Sequence, residues 1–169
     1  MATMLRAADR LAPLLAYPTA SFTSLLDECR SAAPGLAPDV AAGLERFACA
    51  VRHISITELQ ERYADTFDLN ASCTLDVGWH LFGDRFERGA FLSELRPELQ
   101  AAGIAEGAEL PDYLPHLLIL MERASPSRAV ALGQLIRPAV EKLEGALHAR
   151  SSPYEHLVRS AFAAACRGE

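Results

Sequence analysis

Three short stretches of the sequence gather acidic and aromatic residues, which are the side chains that would bind a cationic, partly apolar ligand. They read ERYADTFDLNASC (residues 61–73), LDVGWHLFGDRFERG (75–89) and ELPDYLPHLLILM (109–121). Carboxylates in such clusters pair with arginine or lysine, and aromatic rings bury apolar side chains. The chemistry that these residue types favour is therefore binding and not bond making.

The usual catalytic signatures are missing from the sequence. The segment GDRFERG lacks the Lys-Ser/Thr pair of a phosphate loop, and neither a His-Glu-x-x-His zinc motif nor a Gly-x-Ser-x-Gly elbow occurs. Cys49 and His53 are four residues apart, but two ligands do not complete a metal site. His80 and His116 leave one alternative open, a small helical enzyme or ligand sensor that uses them as acid or base.

The clusters also contain signals for helix ends. Gly83 is expected to end one helix and Asp84 to cap the next. Asp112 is expected to cap the helix that follows it, with Pro115 in the first turn, where the missing N–H costs nothing. These roles leave Glu109 unexplained, and they do not explain why acidic and aromatic residues gather at three helix junctions.

Helical periodicity recurs along most of the chain, while strand-like alternation is absent. In SITELQERYADTFD (residues 55–68), Ser55 and Glu58 have the spacing of a capping box, and four apolar residues share one face: Ile56, Leu59, Tyr63 and Phe67. Segments rich in Gly, Pro, Ser or Asn interrupt the pattern, and Pro13, Pro97 and Pro138 are expected to kink or split helices. The sequence predicts an all-α fold, a bundle of roughly seven to nine helices.

Composition narrows the class of protein. The 169 residues, of which 50% are apolar, predict one domain over residues 1–169. The formal charge is −6 and no run of basic residues occurs, which disfavours a nucleic-acid-binding protein. The four cysteines lack paired spacing and are expected to be free thiols.

The N-terminal stretch MATMLRAADRLAPLL predicts an amphipathic helix. Arg6, Asp9 and Arg10 interrupt its apolar pattern, whereas a secretory signal needs an uncharged central region. The longest apolar runs, such as HLLILM, fall far short of the roughly 20 residues of a membrane span. The protein is therefore expected in the cytoplasm, without direct membrane insertion.

At the three clusters the sequence resembles the NarJ/TorD family, the dedicated chaperones of molybdenum-cofactor respiratory enzymes, and most closely its nitrate reductase (NarJ) branch. Three motifs carry the resemblance: a Tyr…Thr-Phe-Asp block (Tyr63, Thr66, Phe67, Asp68), a Gly-Asp…Arg-Gly turn (Gly83, Asp84, Arg88, Gly89) and a Glu-Leu-Pro-Asp-x-Leu-Pro motif (Glu109 to Pro115). The similarity runs from about Leu5 to the last helix. Tyr113 stands where the family usually has histidine.

The resemblance implies an all-helical fold and no catalysis. It implies that the protein binds the N-terminal leader of the catalytic subunit of nitrate reductase or of a related enzyme of the dimethyl-sulfoxide-reductase superfamily. The apo-enzyme would be held until its molybdenum cofactor is inserted, and the chaperone itself, as a monomer or weak dimer, would hold no cofactor or metal. A non-selective helical scaffold remains an alternative.

The predicted peptide-binding residues divide into apolar anchors and charged partners. Leu75, Trp79, Phe82 and Tyr113 would bury apolar side chains of the leader. Four carboxylates, those of Asp65, Asp68, Glu109 and Asp112, would meet its basic residues. The full predicted set is Tyr63, Phe67, Asp68, Leu75, Trp79, Phe82, Asp84, Arg88, Glu109, Asp112, Tyr113 and Pro115.

Overall fold

The computed structural model describes residues 6–168, so the first five residues of the predicted N-terminal helix lie outside it. Within this range the chain forms α-helices and turns and no β-strand, which confirms the all-α prediction. The helices are α1 (Ala7–Leu11), α2 (Phe22–Ala32), α3 (Pro38–Val51), α4 (Ile56–Tyr63), α5 (Val77–Phe82), α6 (Phe86–Ala101), α7 (Leu114–Arg123), α8 (Pro126–Ala149) and α9 (Tyr154–Arg167).

Shorter helical turns join several of these elements. The segments Ala12–Leu15, Ala33–Gly35 and Ala71–Cys73 are 3₁₀ turns, and Ala64–Asp68 continues α4 as a π-helical turn. Pro13 splits the N-terminal segment, as predicted, because α1 ends at Leu11 and a 3₁₀ turn follows. Pro97 and Pro138 do not split their helices, since both lie inside continuous α6 and α8.

The last helix is the centre of the core. α9 packs against α1, α3, α7 and α8, and apolar side chains surround its buried residues. Tyr154, in its first turn, is 1% exposed. Its ring lies tilted against that of Phe47 of α3 at 5.1 Å and edge-on to that of Phe67 at 4.9 Å between centroids. A single core therefore fixes the helices that carry the three clusters.

Local sequence explains the start of α4 and the end of α5. The Ser55 side chain accepts a hydrogen bond from the Glu58 N–H at 3.2 Å, which is the predicted cap of α4. Gly83 ends α5 with a φ of 62°, a conformation that favours glycine. No helix in residues 6–168 is long and apolar enough to cross a membrane.

Candidate functional site

Acidic and aromatic side chains from four parts of the chain surround a cavity of about 340 Å³, which we call the acidic recess. Its lining residues are Tyr17, Tyr63, Phe67, Asp68, Thr74, Leu75, Asp76, Glu109 and Tyr113. Six of them belong to the predicted set, so the first cluster, the start of the second and the third meet at this point.

The π-helical turn sets the direction of the first cluster. Tyr63 ends α4, and the wider turn over Ala64–Asp68 places Phe67 in the core while Asp68 stays exposed at the recess. The rings of Tyr63 and Phe67 lie 4.7 Å apart, and the Tyr63 hydroxyl donates to the Leu15 carbonyl at 2.9 Å. These contacts hold the aromatic wall in one position.

Backbone pairing joins the second and third clusters. Asp76 and Tyr113 form an isolated antiparallel bridge. The Leu114 N–H donates to the Leu75 carbonyl at 2.8 Å, and the Val77 N–H donates to the Asp112 carbonyl at 2.9 Å. The bridge brings residues more than 30 positions apart to the same edge of the recess.

Tyr113, which stands at the family's usual histidine position, lies against the tyrosine of the first cluster. Its hydroxyl is 3.4 Å from the Tyr63 hydroxyl and 3.4 Å from the Leu15 carbonyl. Burial raises the pKa of Tyr113 to about 12, and that of Tyr63 is raised further, chiefly by burial. Both hydroxyls are therefore neutral at pH 7, and position 113 adds no cation to the recess.

Three carboxylates give the recess its charge. Burial raises the pKa of Glu109, and the charges of Asp76 and Asp68 raise it further. The pKa of Asp76 is also raised, first by burial and then by Asp112, although Arg88 partly opposes the shift. The lining contains no basic side chain. A bound cation would relieve the repulsion among these carboxylates.

Asp112 lies behind the recess, and the prediction that it caps α7 is wrong. It is 0% exposed, so its carboxylate has no surface to offer a peptide. It does not cap α7, which begins after Tyr113 without a side-chain cap. Its Oδ2 instead accepts from the Gly78 N–H at 2.9 Å and from Arg88 Nε at 3.1 Å. The reason is tertiary, because the bridge beside Tyr113 aims this carboxylate at the start of α5.

Arg88 connects this support to the recess. Its Nη2 lies 3.3 Å from Asp76 Oδ2 and 3.1 Å from Asp112 Oδ2, and its side chain is 19% exposed. The guanidinium therefore orients Asp76 and partly offsets its charge. We assign Arg88 and Asp112 to positioning and not to direct peptide contact.

The other half of the second cluster lies outside the recess. α5 starts at the recess and rises about 9 Å over its six residues before Gly83 ends it. Trp79 is 38% exposed on this helix, while Phe82 is half-buried with its ring 5.6 Å from that of Phe91. Neither side chain lines the recess, so their role as anchors stays a prediction for the neighbouring surface.

Three further predicted residues have other positions. Asp84 is exposed and makes no cap, because α6 begins after Arg85 without a side-chain bond. Pro115 is buried in the first turn of α7, as its structural interpretation predicted. Asp65 lies on the opposite side of the π-helical turn, where it lines a different cavity.

The two histidines considered for acid–base chemistry are held by the backbone. His80 Nε2 is 2.7 Å from the Thr74 carbonyl, and His116 Nδ1 is 3.2 Å from the Leu110 carbonyl. Burial lowers the pKa of both imidazoles. In the part of the chain that the structure describes, no three His, Cys, Asp or Glu side chains are grouped to hold a metal ion.

Sequence reasoning missed Tyr17, Thr74 and Asp76. Tyr17 lies in a loop 46 residues before Tyr63, and its ring makes an edge contact with Tyr63 at 5.5 Å. A signal did exist for Asp76, since it is a lone acid between Leu75 and Val77, both of which are buried at the start of a short helix.

Comparison with known proteins places these features in a family. Residues 33–158 match the family model described as nitrate reductase delta subunit. The chain is 29% identical over 155 residues to the nitrate reductase-like protein NarX of Mycobacterium tuberculosis, covering 91% of this chain and 23% of that protein. It is 27% identical over 148 residues to the nitrate reductase molybdenum cofactor assembly chaperone NarJ of Escherichia coli, covering 85% of this chain and 63% of the chaperone.

The chain thus spans about a quarter of one relative and less than two thirds of the other. The family match nevertheless extends over the region in which the three clusters meet, and it agrees with the motifs from which the resemblance was drawn. The chain belongs to the nitrate reductase delta subunit family, within the NarJ/TorD group.

Proposed function

We propose that the protein is an assembly chaperone for a molybdenum-cofactor enzyme of the nitrate reductase type, and that its acidic recess binds a basic residue of the client's N-terminal leader. One observation carries the proposal. Three carboxylates and four aromatic rings converge on a cavity of about 340 Å³ whose lining contains no basic side chain. The name of the Escherichia coli relative supports the assembly role.

A leader side chain fits the chemistry of this cavity. A guanidinium or ammonium group would sit among Asp68, Asp76 and Glu109, with the rings of Tyr17 and Tyr63 beside its aliphatic stem. Because Arg88 holds Asp76 and Asp112 holds Arg88, one of the three carboxylates is oriented before the peptide arrives. Binding therefore costs less conformational entropy at this side chain, which favours affinity.

Apolar surface near the recess would take the rest of the leader. Tyr17 lines the recess and is 51% exposed. Leu69 follows Asp68 and is 77% exposed, and Leu110 follows Glu109 and is 42% exposed. Covering such side chains contributes about 1.5–3 kcal/mol each when burial is complete, whereas an exposed ion pair contributes about 0–1 kcal/mol. Apolar anchors should set most of the affinity, and charges should set the on-rate and selectivity.

The role follows from holding the leader. A client whose N-terminal segment is occupied stays apart from its partner subunits while its cofactor is inserted in the cytoplasm. The chaperone performs no covalent step, and the molybdenum cofactor belongs to the client.

Calorimetry with two matched double variants tests the proposal. The ligand is a synthetic peptide of the N-terminal segment of the nitrate reductase catalytic subunit from the same genome. Asp68→Asn with Glu109→Gln should weaken binding about tenfold, since it removes two partners of the cation. Glu61→Gln with Glu87→Gln changes the charge equally at exposed positions outside the recess and should leave affinity unchanged. Equal affinities for the two double variants would remove the recess from the binding site.

Exchange of the ligand separates a selective chaperone from a scaffold. An unrelated basic amphipathic peptide of equal length and charge should bind at least tenfold more weakly than the leader. Equal affinity would support the non-selective scaffold.

A further inference from the structure

A basic groove lies on the other side of the segment that forms the aromatic wall. It consists of three adjoining cavities of about 200, 400 and 610 Å³. The first two share Ile54 and Leu59 as lining residues, and the last two share Arg62 and the Ser151–Pro153 turn. Asp65 and Thr66 face this groove, whereas Phe67 and Asp68 face the acidic recess.

Arginines dominate the charge of the groove. Six line it (Arg30, Arg46, Arg52, Arg62, Arg150, Arg159), against three carboxylates (Asp27, Asp65, Glu155). The formal charge of the lining is therefore +3, on a chain whose total is −6. The basic residues come singly from different helices and loops, so only the fold collects them.

Three of these arginines are available to a ligand. Arg46, Arg52 and Arg150 are exposed, and no carboxylate of residues 6–168 lies within ion-pair distance of them. In contrast, Arg62 lies 2.7 Å from Glu58, and Arg159 lies 3.0 Å from Glu144. Exposed guanidinium groups without an internal partner are suited to bidentate pairing with an incoming carboxylate.

The cavity at the end of the groove away from Arg46 has the most apolar side chains of the three, although Asp27, Arg30 and Arg52 also line it. Phe22, Leu26, Val51 and Ile56 line the 200 Å³ cavity, and Ile56 is 38% exposed. Side chains of a ligand could be buried there while its charged part lies among the arginines. The two ends of the groove therefore suit different parts of one elongated ligand, an apolar part at one end and a charged part at the other.

We propose that the basic groove is a second docking site, which binds a segment of a partner protein that is apolar at one end and rich in Asp or Glu at the other. The apolar end lies in the cavity with Phe22 and Ile56, and the acidic end lies along Arg150 and Arg46. Charge complementarity selects this occupant, because a basic leader would meet an excess of arginine in the groove.

A polynucleotide fits the groove less well than such a segment. Polynucleotide binding relies on many phosphate contacts along a basic surface. Here half of the groove arginines are engaged by their own carboxylates, the remainder of the chain is acidic, and one of the three cavities is lined mainly by apolar side chains. The basic groove and the acidic recess have different lining residues and opposite charge. Binding at the groove can therefore be tested independently of leader binding.

Fluorescence anisotropy of labelled peptides with the full chain tests the proposal. One probe has leucines in its first half and glutamates in its second half, and its counterpart has lysines in place of the glutamates. The acidic probe should bind at least tenfold more tightly than the basic one. Arg46→Glu with Arg150→Glu should weaken the acidic probe at least tenfold, because each reversal replaces an attraction with a repulsion.

A matched pair of reversals controls for total charge. Arg85 and Arg137 are exposed, have no carboxylate partner among residues 6–168 and do not line the groove. Arg85→Glu with Arg137→Glu should leave the affinity within twofold, and circular dichroism should show both double variants folded. Equal weakening by the two pairs would overturn the proposal, as would preference for the basic probe or absence of binding.

Two more ligands distinguish the chemistry of the occupant. Serines in place of the leucines should weaken the acidic probe severalfold, and unchanged affinity would overturn the role of the apolar cavity. Single-stranded DNA of equal charge should bind more weakly than the acidic probe, and tighter binding of DNA would overturn the assignment to a protein segment.

Discussion

The acidic recess and the basic groove lie on opposite sides of one segment, residues 56–68, and differ in how their charges are held. Behind the recess stands a fully buried carboxylate, Asp112, bound to Arg88 and to the backbone of Gly78. The groove depends on exposed ion pairs such as Arg62–Glu58, whose side chains are 53% and 49% exposed. The recess is therefore a preformed site, whereas the groove is a surface whose arginines adapt to a ligand.

The largest expected effect is loss of the support behind the recess. Asp112→Ala should lower the free energy of unfolding by about 3 kcal/mol, because Arg88 loses its buried partner and the Gly78 N–H loses its acceptor. If Asp112 acted only by contact with the peptide, the role predicted from the sequence, the free energy of unfolding would instead stay nearly unchanged. Urea unfolding decides between the two expectations.

Glu58→Ala is the matched change beside the basic groove. It removes the exposed partner of Arg62, which lines the groove, and should cost less than about 1 kcal/mol. Similar costs for the two alanine variants would contradict the distinction between a supported recess and an adaptable groove.

Gly78→Ala should have the next largest effect. A Cβ at this position would lie 2.5 Å from Asp112 Oδ2 and 3.2 Å from Arg88 Cγ, so the ion pair would have to move. We expect a loss of about 2 kcal/mol in urea unfolding. Gly89→Ala, in α6 with no atom within 4 Å of its added Cβ, should instead gain about 0.5–1 kcal/mol. An unchanged free energy of unfolding for Gly78→Ala would show that the close packing of Gly78 against Asp112 does not contribute to stability.

A structural feature could be predicted from the sequence where contacts between neighbouring residues determine it. The helical periodicity, the Ser55 cap and the Gly83 terminus follow from neighbouring residues, and all are present. The three clusters were expected to form one site, and residues of the first and third share a cavity, whereas Trp79, Phe82 and Asp84 of the second do not line it. The direction of the Asp112 carboxylate could not be predicted. A carboxylate two residues before a helix can cap that helix or bond elsewhere, and the pairing of Asp76 with Tyr113 decides between these two arrangements.

The basic groove was hidden for a similar reason. Its six arginines are spread between positions 30 and 159, so no run of basic residues signals them. The absence of a basic run disfavoured a nucleic-acid-binding protein, but a fold can collect isolated charges on one surface. Asp65 illustrates the limit, since it belongs to the acidic motif in sequence and to the basic groove in space.

Lowering the pH from about 7.5 to about 5 should weaken leader binding about tenfold, a smaller effect than the losses of stability expected for Asp112→Ala and Gly78→Ala. The pKa values of Glu109 and Asp76 are raised above the ordinary 4.5 and 3.8, so both carboxyls begin to take up protons at a higher pH than ordinary carboxyls and lose their attraction for a cation. Calorimetry from about pH 7.5 to about pH 5 should show the decline. Asp76→Asn with Glu109→Gln should bind more weakly at pH 7.5 and lose most of the pH dependence.

The same two carboxyls act on stability with the opposite sign. Because their folded-state pKa is raised, the folded chain holds these protons more tightly than the unfolded chain does. Their cost to stability is fully present above the folded pKa and is relieved as the pH falls through it. The Asp76→Asn and Glu109→Gln variant should therefore gain stability relative to the wild type at pH 7.5 more than at pH 5, as followed by urea unfolding. A gain that is equal at both pH values would contradict the assignment.

The smallest expected effect concerns Trp79, the single tryptophan of the chain. Because Trp79 stands beside the recess and not in it, the leader should cover only about a third of its 38% exposed side chain, which adds about 0.7 kcal/mol to leader binding. Trp79→Ala should weaken the leader about threefold by calorimetry and leave the acidic probe of the groove unaffected. A loss above about thirtyfold would place the main anchor on α5 and outside the recess.

Site-specific photocross-linking tests the central claim most directly. A benzoylphenylalanine at Tyr17, on the open edge of the acidic recess, and one at Arg46, in the basic groove, report which side of residues 56–68 the leader occupies. We predict that the client leader cross-links from position 17 and not from position 46. Cross-linking from position 46 alone, or equally from both, would contradict the assignment of the acidic recess as the leader-binding site.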